Sequence, residues 1–325
     1  MRHAATLALI ALTAALTVAP GEVSSQAFPA RPIRMMIPQP AGGTMDTVAR
    51  AVSEPMARSF GQNIIIDNRS GANGIIAGET LARAAPDGYT LLYTSASLVN
   101  NQLVHRKLSF DVMRDFAPVT RVNSLPGYLV LVSPQVPARS VRELVELSKT
   151  AKTPVSYGSS GVGNSQHLLG ELLNSRAGAR LMHVPYKGFA LIMNALMGNE
   201  IQVAFGAPTT VVPHIKAGRL RAIAYTGAQR WSGMPDLPTV AESLPGFVYE
   251  ASWHGLFAPA ATPLPTVLRI QEEVARALQT PRVRELLDAG GHVADGGRPE
   301  SFRKFLQQYI RDTAEQMRIA NVKPE

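Results

Sequence analysis

Two glycine-rich stretches carry the residue types best suited to hold an anion. One is Pro38-Gln39-Pro40-Ala41-Gly42-Gly43-Thr44-Met45-Asp46; the other is Gly158-Ser159-Ser160-Gly161-Val162-Gly163-Asn164-Ser165-Gln166-His167. Each follows a short apolar run and precedes a helical pattern. The glycines allow close approach to the backbone, and Thr44, Asp46, Asn164 and Ser165 are suited to cap a helix start. Free N–H groups at the positive end of a helix dipole suit a carboxylate or a phosphate. One such loop alone reads first as an ordinary strand-to-helix turn, but two, one in each half of the chain, would together line a cleft. Other candidates follow other apolar runs: Ser95 and Ser97 as hydroxyl donors, Tyr186 and Lys187 as a ring beside a cation, and Phe205, Gly206 and Ala207 as a close wall. Structural roles are the alternative for Asp46 (a cap), Lys187 (an exposed lysine), His167 (a tie between loop and helix) and Trp253 (hinge packing).

Catalytic signatures are missing. No Gly-x-x-x-x-Gly-Lys-Ser/Thr and no His-Glu-x-x-His occurs, and the seven histidines are dispersed without metal-ligand spacing. Gly158-Ser159-Ser160-Gly161 lacks the final glycine of a hydrolase elbow, because position 162 is Val. No acid–base pair can be assembled, so catalytic residues, metal and cofactor are all expected to be none. The absence of cysteine excludes disulfides, thiol nucleophiles and a lipoprotein anchor.

The 325 residues are 46% hydrophobic and 17% charged, with a net charge of +8. That hydrophobic content supports a large core. Lysine and arginine are scattered rather than clustered, which argues against nucleic acid; a dispersed positive field attracts small anions. Arg2 and His3, the uncharged run Ala4–Ala19 and the small-residue end Ser25-Gln26-Ala27 predict a cleaved secretory signal peptide over residues 1–27. The run is too short and too rich in Ala and Thr for a membrane span.

Apolar runs and helical periodicities then alternate. Strands are expected at Ile33–Ile37, Ile64–Ile66 (buried) and Tyr89–Tyr93, with helices from about Met45 to Phe60 and from Asn73 to Ala85. This pattern implies a parallel sheet covered on both faces. A second set begins after Pro126-Gly127: strands at Tyr128–Val132, Val155–Tyr157, Leu181–Val184, Ile201–Phe205 and Leu220–Tyr225, with capping boxes at Ser140–Glu143 and Thr239–Glu242. An extended stretch, Gly246–Pro259, leads to a helical tail at Pro263–Leu278, Arg282–Ala289 and Pro299 to about Ala320. The tail has too few strands for a domain of its own. The expected architecture is α/β with two lobes, one from 28–126 plus 250–325 and one from 127–249, joined by two crossing segments.

Phe28-Pro29-x-Arg31-Pro32-Ile33, Pro40-Ala41-Gly42-Gly43, Asp67-Asn68-Arg69, Pro86-Asp87-Gly88-Tyr89-Thr90, Asp115-Phe116-x-Pro118-Val119, His183-Val184-Pro185-Tyr186-Lys187-Gly188 and Pro235-Asp236-Leu237-Pro238-Thr239 occur in that order. This string resembles the Bug (Bordetella uptake gene) family, the periplasmic solute receptors of tripartite tricarboxylate transporters, over essentially all of residues 28–325. The resemblance implies a Venus-flytrap fold of the type II periplasmic-binding-protein kind. Its cleft takes a small organic carboxylate, gripped by the loops at Pro38–Asp46 and Ser159–Ser165 largely through two ordered waters. It further implies membrane permease subunits as partners and a monomeric, periplasmic protein. Gln39 stands where the family usually has an aromatic residue, and Asn164 where Ser is usual, so a more polar pocket is expected. A sensor subunit for a membrane kinase and an exported enzyme acting on a carboxylated substrate are the competing readings.

Overall fold

The computed structural model describes residues 28–319 and Val322; the expected signal peptide lies outside the described residues. The chain opens with β1 (Ile33–Ile37), α1 (Thr44–Phe60) and β2 (Ile64–Asn68), followed by a 3-10 turn (Ala72–Gly74) and α2 (Ile75–Ala82). It continues through β3 (Thr90–Ser95), α3 (Ser97–Val104), α4 (Val112–Asp115) and β4 (Phe116–Leu125). The second half comprises β5 (Leu129–Val132), α5 (Val141–Thr150), β6 (Ser156–Ser159), α6 (Ser165–Ala177), β7 (Met182–Pro185), α7 (Phe189–Met197), β8 (Val203–Gly206), α8 (Pro208–Lys216), β9 (Arg221–Tyr225) and α9 (Val240–Ser243). The tail adds β10 (Ser252–Pro259), α10 (Leu264–Ala277), α11 (Pro281–Ala289), β11 (Val293–Ala294) and α12 (Pro299–Ile319). Among the described residues no helix is long and apolar enough to cross a membrane.

The strands form two sheets, ordered β11-β4-β10-β3-β1-β2 and β7-β6-β8-β5-β9. Both are mixed rather than wholly parallel. β1 pairs in parallel with β2 and β3, and β6 with β7 and β8, whereas β10 runs antiparallel to β3 and β4, and β5 antiparallel to β8 and β9. Each sheet therefore has a central strand, β1 or β6, whose chain leaves toward one neighbour while the other neighbour arrives later. That reversal is the topological switch point, where α/β sheets open a crevice beyond the strand ends.

Local chemistry explains the elements. α1 buries Val48, Ala49, Val52, Met56 and Phe60 on one face, carries Pro55 within it, and stops at Gly61 in the left-handed conformation (φ 63°). Thr239 and Glu242 form a complete capping box. At Ser140 only half forms: its hydroxyl accepts from Glu143 N, while Glu143 reaches Arg139 N instead. The second helix is shorter than its pattern suggests, because Ala72 and Asn73 both adopt positive φ and delay its start to Ile75. β2 is an edge strand, not a buried one, and leaves Ile65 54% exposed.

Two segments cross between the sheets, and Thr226 clasps them. Its hydroxyl accepts from Tyr128 N (2.8 Å) and donates to Tyr249 O (3.0 Å). α12 bridges the cores as well. Phe302 and Leu306 pack with Trp253 and Phe257 behind the six-stranded sheet, whereas Met317 belongs to the core of the five-stranded one. Trp253 is buried edge-on against Phe302, Phe305 and Tyr309, so its role is packing.

Candidate functional site

Every candidate loop follows the C-terminal end of a parallel strand at a switch point. Pro38–Gly43 follows β1, Ser95–Ser97 joins β3 to α3, and in the other lobe Ser160–Asn164, Tyr186–Gly188 and Ala207 follow β6, β7 and β8. α3 links the two groups. Pro38 packs on Gly74, whose neighbour Asn73 exchanges hydrogen bonds with Asn101: Asn73 Nδ2 donates to Asn101 Oδ1 (3.0 Å) and Asn101 Nδ2 to Asn73 O (3.0 Å). One residue earlier, Asn100 Nδ2 donates to Gly163 O (3.1 Å) across the lobes. A Cβ on Gly163 would lie 2.3 Å from Val104 Cγ2, so only glycine fits this seam. A second seam lies where Gly291 meets Pro208 and Trp231.

The first loop is braced by Asp46. Its carboxylate accepts from Gly42 N (3.0 Å), Arg50 Nε (2.9 Å) and Asn68 Nδ2 (2.9 Å), and Asn68 Nδ2 also donates to Gln39 O. The Arg50 guanidinium, followed by the Gly42 N–H and the Asn68 amide, overcomes the cost of burial and holds the Asp46 carboxyl at about 2. α1 itself begins at Gly43, with no side chain capping its first-turn N–H groups. Its positive end is therefore open to an external anion. Gly42 stands at φ 83° with open space on the side where a Cβ would project, and Gln39 Oε1 reaches over toward Gly43.

The second loop is braced by its own serine and two histidines. Ser159 Oγ lies 2.6 Å from His183 Nε2, and it exchanges hydrogen bonds with Gly161 N and O. Gly163 N donates to His167 Nδ1 (3.0 Å), and the His167 and His183 rings stack at 4.0 Å. Asn164 caps α6 by accepting from His167 N. Burial, and then the neighbouring His167, pull His183 down to about 4. Ser159 and His183 resemble a nucleophile–base pair, but the serine is 0% exposed and its hydroxyl is held by its own loop.

These observations revise several roles read from the sequence. Asp46, Ser159 and Asn164 spend their side chains on holding loops, and the Gly163 N–H is taken by His167. Phe205 is fully buried core whose carbonyl accepts from Gln166, and Gly206 is glycine because Val211 and Phe189 crowd it. Gln39, Ala41, Gly42 and Lys187 are exposed, and Gly43, Thr44, Ser97, Gly161, Tyr186 and Ala207 half-buried, at the strand ends. Ser95 is buried, with its hydroxyl 2.9 Å from that of Ser97. Asn100 and Asn101 escape a reading by sequence, and His183 enters it only as part of the His183–Gly188 motif with no role; two adjacent asparagines between Leu98-Val99 and Leu103-Val104 are the one available signal.

Beneath Ser95, at the register position opposite it, lies His254, bonded through Nδ1 to the Tyr93 hydroxyl (3.2 Å). Burial, then His292, pull His254 to about 3, and burial pulls His292 to about 4. A groove of about 460 Å³ between α1 and α11 is lined by Arg50 and Arg282, but Asp46 and Glu54 already pair with them. Among the described residues no cluster could hold a metal.

Residues 48–319 match the model of the tripartite tricarboxylate transporter family receptor. The protein BugT of Bordetella pertussis is 32% identical over 320 residues, covering 98% of each chain. An R. palustris protein solved with adipate superposes with a TM-score of 0.85 at 30% identity, covering 92% of this chain and 100% of its own. MatC of Rhodopseudomonas palustris, solved with bound malate, superposes with a TM-score of 0.80 at 30% identity, covering 89% of this chain and 99% of its own.

Proposed function

The chain belongs to the tripartite tricarboxylate transporter receptor family, and from that membership we propose that it is a periplasmic, non-catalytic receptor that encloses a small organic carboxylate between its lobes. The observation that carries this reading is the uncapped start of α1 at an open glycine loop, joined through α3 to the loop that starts α6. Amides at a helix start recognise an oxyanion without a cationic side chain. Arg50 neutralises Asp46 beside them, so the nearest buried carboxylate does not repel the ligand. The residues offered to it are Gln39, Ala41, Gly43, Thr44, Ser97, Tyr186, Lys187 and Ala207, whereas the N–H groups of Gly42 and Gly161 are already taken by Asp46 and Ser159. The adipate and malate held by the two R. palustris relatives support a dicarboxylate.

Binding between the lobes favours the closed form by the ligand's differential affinity for it, and the closed monomer would present both lobes to membrane permease subunits. The charged start, apolar run and small-residue end of residues 1–27 support export.

The test is a thermal-shift panel of dicarboxylates, aromatic acids and amino acids, with methyl esters of any hit. An acid at about 100 times its Kd stabilises the native state by about 2.7 kcal/mol, a rise of several degrees in Tm. No response to any acid, or an equal response to the ester, overturns the reading. Mass spectrometry after long incubation should return the acid unchanged; turnover would make the protein an enzyme.

A further inference from the structure

The second glycine loop is shaped by contacts that no ligand supplies. Its backbone turns through Gly161 (φ 137°) and Gly163 (φ 74°), both outside the comfortable range of other residues. Such a path persists only where its surroundings over-determine it. Counting donors shows how. Gly161 N donates to Ser159 Oγ (3.2 Å), and the single hydroxyl proton of Ser159 goes to Gly161 O (3.0 Å). The remaining lone pair of that oxygen faces His183 Nε2 at 2.6 Å, so His183 must be the donor there. At the other end Gly163 N donates to His167 Nδ1, which must therefore be unprotonated. His167 is thus neutral with its proton on Nε2, His183 carries a proton on Nε2, and the two rings stack at 4.0 Å and 21°. Two rings in that arrangement resist taking up a charge.

We propose that His183 and His167 form a bracket that sets the shape of the Ser159–Asn164 loop, which makes His183 a positioning residue for carboxylate binding. The proposal rests on the cleft being a carboxylate site, and it extends that reading to a strand that does not touch the ligand. A proton on His167 Nδ1 removes the acceptor of the Gly163 N–H, and the loop loses the tie beside its Asn100 contact. Tyr157 on β6 lies 5.1 Å from His183 ring to ring, and its hydroxyl donates to Glu171 on α6. The burial that depresses His183 protects the neutral pair at pH 7.

Two measurements decide it. The first needs no ligand: amide exchange of Gly161 and Gly163 by NMR in wild type, His183→Ala and His183→Gln. Loss of protection in the alanine variant and its return in the glutamine variant, whose side-chain N–H can reach Ser159, is expected. The second is affinity for malate and adipate at pH 7.5. His183→Ala should bind about tenfold more weakly and His183→Gln within about threefold of wild type. Wild-type exchange in His183→Ala, or equal weakening by Ala and Gln, overturns the bracket. Should His183→Ala fail to fold, Ser159→Ala removes the shared oxygen and must show the same loss of Gly161 protection. Wild type that binds neither acid counts against the carboxylate reading of the cleft, whereas the ligand-free exchange still decides the bracket.

Discussion

At the scale of single residues, charge in the cleft is managed by local neutralisation. Asp46 lies buried in the first turn of α1, the helix proposed to receive the anion, and Arg50, one turn later, cancels it. Arg50→Gln should therefore weaken carboxylate binding through loss of its pairing with Asp46. Two like charges several ångströms apart near a surface repel by about 1 kcal/mol, or roughly fivefold in Kd. Calorimetry at two ionic strengths checks this: the deficit should shrink at high salt, and a salt-independent deficit would point to lost packing instead. The acidic cap is legible because Asp is a familiar first-turn residue. Its engagement with Asn68, 22 positions away, is not, since spacing says nothing about what a long connection brings alongside. The same holds for His183, which meets Ser159 only because β7 lies beside β6.

At the scale of elements, α3 is the lever between the glycine loops. It carries Ser97 at its start, Asn100 and Asn101 in its middle and Val104 at its end, and each faces a different part of the cleft wall. Gly163→Ala places a Cβ against Val104 and at positive φ, so it should hold the lobes apart and weaken ligand binding more than tenfold. Adding Val104→Ala removes the clash but not the backbone strain, and should recover part of that loss. No recovery in the double variant would show that strain alone is responsible. Helices and strands are largely readable from periodicity, because α1, α5 and α10 bury one clear face. The start of α2 is not: Asn73 fits a helical pattern, but its side chain is recruited by Asn101 and its backbone turns left-handed. Strand direction is also beyond the pattern, since an antiparallel strand such as β10 is as continuously buried as a parallel one.

At the scale of the molecule, three imidazoles, two buried and one half-buried, make stability depend on acidity. His183, His254 and His292 have folded values of about 4, 3 and 4 against 6.5 when unfolded. Between those limits the unfolded chain binds protons that the folded chain refuses, so stability is complete above about pH 6.5 and is lost as the pH falls. Glu250, raised mainly by burial, works in the opposite direction. Urea unfolding across this range should give a slope of up to about 4 kcal/mol per pH unit for three protons, reduced by about a third in His254→Asn; a flat profile would refute it. The two-lobed plan is readable because the tail lacks strands for a third sheet. That α12 ends in the far core is not, since Met317 looks like any apolar residue on a helix face. The place of β10, between β3 and β4, bears on how the chain acquires its structure. The strand that closes the six-stranded sheet begins only at Ser252, and its partners lie far back along the chain. Pairings that remote form late and slowly. The five-stranded sheet is complete once β9 ends at Tyr225, but the six-stranded one cannot lock until β10 is available, so that lobe stays threadable through much of synthesis, a condition that suits passage through a narrow pore before folding on the other side.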